Sequence, residues 1–214
     1  MIRWVLICLL WLPLQGRAAI YDDMYQAIKN NDAVTVQDIL QRGLDPDTSD
    51  KLGDSLIMTA IRDNDDAVAE VLLPVANLQH VNSLRETPLM LAAYFGKTEL
   101  VKQMLDRGAA IDGAGNWSPL SYAAFNGHTA IVRLLLQRGA RLEAASENGT
   151  TALMAAARNG HAEVVKLLLD YGANPLSVNM AGQNAVSFAM QHGNTDIAAM
   201  LQEAIRQRSA TVVH

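Results

Sequence analysis

Residues 126–140 read NGHTAIVRLLLQRGA and residues 159–173 read NGHAEVVKLLLDYGA. The two stretches begin 33 residues apart and share their Asn-Gly-His opening, their leucine triplet and their closing Gly-Ala. Self-similarity at a fixed period of about 20–50 residues marks an array of stacked units, each too small to bury its apolar face alone. The fold therefore has to be read as a repeat before any residue is read as a site.

Working outward, TALMAAA at 151–157 aligns with SPLSYAA at 118–124, TPLMLAA at 87–93, SLIMTAI at 55–61 and NAVSFAM at 184–190. A fainter copy starts at Asp22 and shows itself through Ala27, Ile28, Val36, Ile39 and Leu40. The starts at 22, 55, 87, 118, 151 and 184 are spaced by 33, 32, 31, 33 and 33 residues, a solenoid of six units.

Each unit opens on a residue whose side-chain oxygen suits a helix N-cap: Asp22, Ser55, Thr87, Ser118, Thr151 or Asn184. Pro88 and Pro119 follow at the first helical position, where no intrahelical donor is lost. Nine residues after each cap stands Asn31, Asn64, Gly96, Gly127, Gly160 or Gly193, which tolerate the left-handed conformation that ends a helix. A second helix then carries an apolar stripe such as Ile131, Val132, Leu135 and Leu136, and it closes at Gly43, Gly108, Gly139 or Gly172, with Ala76 as the exception. Ten to twelve residues rich in Asp, Asn, Gly and Ser lead to the next cap. The end units carry extra polar residues, as solenoid ends facing water require, and residues 207–214 are expected to form a flexible tail.

Thr-Pro-Leu with Ala-Ala, then Asn-Gly-His, then Val-Val-Lys-Leu-Leu-Leu and Gly-Ala at this period resembles the ankyrin repeat, over about residues 20–206. The resemblance implies an all-α solenoid of antiparallel helix pairs with hairpin-like fingers projecting to one side. It also implies a concave groove, lined by fingers and first helices, that binds other proteins. Two departures stand out. The family's histidine after Thr-Pro-Leu is replaced by Met58, Met90, Ser121, Met154 and Ser187, removing a polar link between units. The finger at 108–118, with Gly113, Gly115 and Trp117, is two residues shorter than those at 139–151 and 172–184.

Residues 1–18 are set apart from the repeats. Arg3 precedes an apolar run over 4–14 that is too short to span a bilayer, and Gly16 and Ala18 fit the positions before a signal-peptidase cut at Ala19. A cleaved signal peptide is expected; an uncleaved anchor is the alternative. Cys8 lies inside the apolar run without the small residue that precedes a lipidated cysteine, so the mature chain of 196 residues has no cysteine. That composition suits a bacterial periplasm better than a disulfide-stapled extracellular domain. The mature chain holds 15 basic and 22 acidic residues, a net charge of −7. This argues against nucleic acid or an anionic membrane as partner and favours a neutral or basic protein.

Chemistry is sparse. His128 and His161 recur at one repeat position, which points to a structural role in starting the second helix, and His80 and His192 lack a second ligand at metal spacing. No phosphate loop or nucleophile elbow is present. Asp45, Asp47, Asp50 and Asp54 crowd the first finger without the spacing of a helix-flanked calcium loop. No catalytic residue, metal or cofactor is assigned, and the chain is expected to be a monomer and not an enzyme.

Seven positions after the caps stand Lys29, Arg62, Tyr94, Phe125, Arg158 and Gln191, and immediately before the caps stand Tyr21, Asp54, Glu86, Trp117, Thr150 and Gln183. In the family both rows face the groove. Partner contact is therefore expected at Tyr94, Phe95, Trp117 and Phe125, flanked by Arg62 and Arg158, with Glu86, Asn126, Asn159 and Gln191 around them. Large rigid rings rimmed by arginine meet the requirements of a binding hot spot. The structural alternative has Trp117 folding onto its neighbouring finger and Phe95 onto the next helix. The expected function is non-catalytic protein binding in the bacterial envelope. Two roles stay open, an accessory to an envelope enzyme or an immunity-type inhibitor of an envelope-targeted toxin. A hydrolase using finger carboxylates such as Asp47 or Asp112 is a third possibility.

Overall fold

The computed structural model describes residues 14–113 and 117–211. Within them are twelve helices and no named strand. Residues 1–13 of the predicted signal peptide lie outside the described residues. The chain divides into two compact units, residues 1–88 and 89–214.

The first unit holds α1 (Leu14–Lys29), α2 (Ala33–Gln41), α3 (Leu56–Arg62) and α4 (Asp66–Leu72). Here α1 packs on α2 and α3, and α4 packs on α2 and α3. Met24, Ile28, Val36 and Ile39 of the first pair and Leu56, Ile57, Val68 and Leu72 of the second are all buried. Asp22 does not cap a helix: α1 begins at Leu14, so Asp22 is exposed within it and the predicted cut before Ala19 falls inside its second turn. Nothing between 14 and 29 breaks a helix apart from Gly16, which a helix tolerates at modest cost.

In the second unit α5 (Pro88–Tyr94, starting at the boundary residue), α7 (Pro119–Phe125), α9 (Ala152–Arg158) and α11 (Ala185–Gln191) are the short first helices. The second helices are α6 (Thr98–Asp106), α8 (Thr129–Gln137), α10 (Ala162–Asp170) and α12 (Thr195–Thr211). First helices pack on first helices, α7 on α9 and α9 on α11; second helices do likewise, α6 on α8, α8 on α10 and α10 on α12. This layering follows from the sequence: α9 reads Ala-Leu-Met-Ala-Ala-Ala with every one of those residues buried, and small side chains let neighbouring helices approach closely. The second helices bury one stripe each, Val164, Val165, Leu167 and Leu168 in α10, while Leu169 is only half-buried.

Helix ends follow the repeat. Ser118, Thr151 and Asn184 accept hydrogen bonds from the third amide beyond them, whereas Ser55 sits at the cap of α3 with its hydroxyl buried and, among the described residues, unused. Asn31, Asn64 and the four glycines nine residues after the later starts all have positive φ. Residues 207–211, expected as part of a flexible tail, are helical, because α12 continues to Thr211. Glu203 holds that last stretch by accepting from Arg206 and from Gln207, and the Ser209 hydroxyl donates to the Ile205 carbonyl. Residues 212–214 lie outside the described residues.

Candidate protein-binding face

The repeat signature around 126 and 159 acquires a physical role in the second unit. His128 Nε2 lies 2.9 Å from the Tyr94 carbonyl and Asn126 Nδ2 donates to the same oxygen at 3.0 Å. One repeat on, His161 Nε2 and Asn159 Nδ2 address the Phe125 carbonyl at 2.9 and 2.7 Å. In the last repeat Asn194 replaces the histidine and donates to the Ala157 and Arg158 carbonyls. Each group satisfies carbonyls that the end of a helix leaves without an intrahelical donor. Both histidines stand at the N-cap of a second helix but make no side-chain cap bond; they reach back to the preceding repeat instead. Gly127 is required twice over: its φ is +74°, and a Cβ there would come within 2.5 Å of the His161 ring.

The finger carboxylates are used in the same way. Asp47 accepts from the Asn77 amide at 2.9 Å, Asp112 from the Arg141 amide at 2.9 Å and Glu143 from the Asn174 amide at 2.7 Å, each four residues beyond the glycine that closes a second helix. Asp50 accepts from the amides of Leu52 and Asp54, closing its own fingertip. Acids read from sequence as solvated surface thus tie finger to finger. Among the described residues no group of three or more metal-ligating side chains is positioned to hold an ion.

In the first unit Arg62 is half-buried and committed. Its Nε donates to Asp54, a residue only 1 % exposed, at 2.5 Å, and its terminal nitrogen pairs with Glu86. Asn82 donates to both carboxylates, at 2.6 and 2.9 Å. Burial works against the Arg62 charge, but the hydrogen bonds and charges of Asp54 and Glu86 outweigh it and push its pKa upward. Two site residues expected from sequence, Arg62 and Glu86, are thereby each other's partners. Beside this network the Tyr25 hydroxyl is buried and, among the described residues, has no hydrogen-bond partner, and burial, with Asp50 and Asp54 adding to it, raises its pKa to about 12.

The second unit gathers aromatic rings. Tyr94 stands edge-on to Phe95 with centroids 5.0 Å apart and edge-on to Tyr122 at 5.6 Å. Trp117 lies 5.6 Å from Tyr122 and 5.5 Å from Phe125. Tyr94, Trp117 and Phe125, grouped from their repeat positions, do come together, with Phe95 beside Tyr94, and Tyr122 joins them at the centre. Tyr122 was not expected there, because the copies put Leu91, Ala155 and Phe188 at its position and the aromatic character does not recur regularly. Tyr94 is exposed at 37 % and the other four rings are half-buried, so the cluster is shared between packing and surface. Met90, in the place of the family's histidine, ends against Gly113 of the short finger, an apolar filler where a polar link is lost.

Beyond Trp117 the face opens into a cleft of about 330 Å³ lined also by Thr150, Arg158, Gln183 and Phe188. Arg158 is exposed there. Gln191 accepts a hydrogen bond from Gln183 at 3.1 Å.

A family model for ankyrin repeats, in sets of three copies, matches residues 24–113, 58–146 and 120–210 in overlapping segments. The chain belongs to the ankyrin-repeat family. Its all-α repeat solenoid is that of the family, and ankyrin repeats generally serve protein–protein interaction. No curated protein matches the sequence. In ankyrin-repeat terms the recurring Asn-Gly-His residues and finger acids are scaffold, and the rings and the cleft are where the repeats differ from one another.

Proposed function

We propose that this chain is a non-catalytic binding module that grips a protein partner along the face built by Tyr94, Trp117 and Phe125. The observation that carries the reading is the ring cluster itself. Four half-buried rings support one that is exposed, an arrangement that presents apolar area already held in place, so that binding loses little side-chain entropy. The finger carboxylates that a hydrolase would need are engaged with backbone amides, which favours binding over catalysis.

We place the protein in the bacterial envelope, carried there by residues 1–18. The support is the short apolar N-terminal run with small residues before Ala19 and the absence of cysteine beyond it. The partner is a protein, neutral or basic overall to suit the net charge of −7 on residues 19–214, and neither nucleic acid nor membrane. Its capture is either accessory to an envelope enzyme or inhibitory toward an envelope-targeted toxin.

Affinity purification from an envelope extract tests the binding face. Proteins retained by the wild type and lost with both Tyr94→Ala and Trp117→Ala identify the partner. A partner retained equally by both variants places binding elsewhere. Adding the protein to its purified partner then separates the roles, since an accessory raises the partner's activity and an inhibitor abolishes it.

A further inference from the structure

Arg62 and Arg158 stand at the same place in their repeats, seven residues after the caps Ser55 and Thr151. Around Arg62 the residues immediately before two successive caps, Asp54 and Glu86, both supply a carboxylate to the guanidinium. The corresponding residues around Arg158 are Thr150 and Gln183, both neutral. The third member of the Arg62 network, Asn82, which donates to both acids, is matched by Asn179, whose amide instead faces the Gln183 side chain at 3.3 Å.

The slot is therefore repeated with its anions removed. Among the described residues Arg158 has no ion-pair partner. It lines the 330 Å³ cleft, whose wall includes Trp117, Phe188 and the strongly exposed Met180 (83 %), and among the described residues Arg158 is the only charged one in that lining. A lone guanidinium in a partly apolar cleft is complementary to a carboxylate that arrives with apolar neighbours, because Arg presents a planar fork of donors that a carboxylate can accept from in two places.

We infer that the cleft takes an Asp or Glu side chain from an extended segment of the partner, with flanking apolar residues packing on Trp117 and Phe188. The inference rests on the protein-binding reading above and adds the chemistry of the contact. The partner's overall charge and its contacting residue are separate properties: a neutral or basic protein meets an acidic surface at long range, while one acidic side chain fits this cleft.

Selection of random twelve-residue peptides displayed with a blocked C-terminus, on the purified full-length chain, tests it. The expected binders carry Asp or Glu beside Leu, Phe, Tyr or Trp. As synthetic peptides they lose about tenfold or more in affinity on Arg158→Gln, and equally on Asp→Asn or Glu→Gln in the peptide. Circular dichroism and melting temperature of Arg158→Gln should match the wild type. Binders lost on Trp117→Ala but unchanged on Arg158→Gln overturn the acidic contact and leave the binding face standing. Binders that need a free C-terminus in place of an internal acid when resynthesised also overturn it, by assigning the site to a chain end. Failure to recover any binder sensitive to either substitution overturns both readings.

Discussion

The His161 ring nitrogen Nε2 lies 2.9 Å from the carbonyl oxygen of Phe125, one repeat upstream, and the Gly127 backbone passes under that ring. A side chain at 127 meets both a left-handed backbone and the ring. Gly127→Ala is expected to lower stability by about 1–3 kcal/mol, through backbone strain and the displaced histidine. In the double variant with His161→Ala the loss should be smaller than the sum of the single losses, since the clash is then absent. Urea unfolding of the four proteins measures this; strict additivity would show that the ring and the glycine do not press on each other.

Arg62 and Arg158 share a repeat position and should differ sharply on substitution. Arg62→Met leaves Asp54, 1 % exposed, without its cation and is expected to cost about 3 kcal/mol or more. Arg158→Met, on an exposed and unpaired side chain, should stay within about 0.5 kcal/mol of wild type. Chemical denaturation of both variants distinguishes them, and equal losses would contradict the assigned surroundings.

Tyr122 lies between Tyr94 and Trp117 and should matter more for folding than for recognition. Tyr122→Ala removes the ring that both of them touch and is expected to cost at least about 1 kcal/mol more than Tyr94→Ala, whose ring is exposed. Melting curves rank the two, and partner capture should rank them in the opposite sense relative to stability lost.

Tyr25 gives an alkaline signature. Its pKa, raised to about 12 from 10.0, favours the protonated phenol in the folded chain. The unfolded chain ionises first, so this contribution to stability is complete below pH 10 and declines as pH rises from 10 to 12. Tyr25→Phe also removes a buried hydroxyl without a hydrogen-bond partner and should be neutral or stabilising at pH 8. Melting temperatures from pH 8 to 12 should fall less steeply for Tyr25→Phe than for the wild type; parallel curves would show that Tyr25 titrates as it does in water.

Most of the scaffold was readable from local chemistry. A cap such as Thr151, a left-handed residue such as Gly160 and the leucines of α10 each act within a few residues, so a single repeat displays them. What escaped depends on register between residues about 30 apart. Asp112 looks like a surface acid until the Arg141 amide is placed against it, and Arg62 looks like a free cation until Asp54 and Glu86 close on it. Likewise Asn126 and Asn159 pass for exposed rim residues, but each donates its amide to the preceding repeat. The start of α1 is hidden for a related reason: Asp22 is chemically fit to cap, and only the turns that precede it make the cap unnecessary.

The links described between successive repeats have a direction. His128, Asn159, His161 and Asn194 give hydrogen atoms to carbonyls upstream, and the amides of Asn77, Arg141 and Asn174 do the same toward upstream carboxylates. The fingertips agree, with the Ser83 amide donating to the Leu52 carbonyl and the Met180 amide to that of Asn148. During synthesis, the later-made member of each of these pairs therefore brings a donor to an acceptor that is already in place. Truncation is correspondingly lopsided: shortening from the C-terminus bares carbonyl and carboxylate oxygens, which water satisfies readily, whereas shortening from the N-terminus strands N–H groups, the kind of orphan that folded proteins tolerate least.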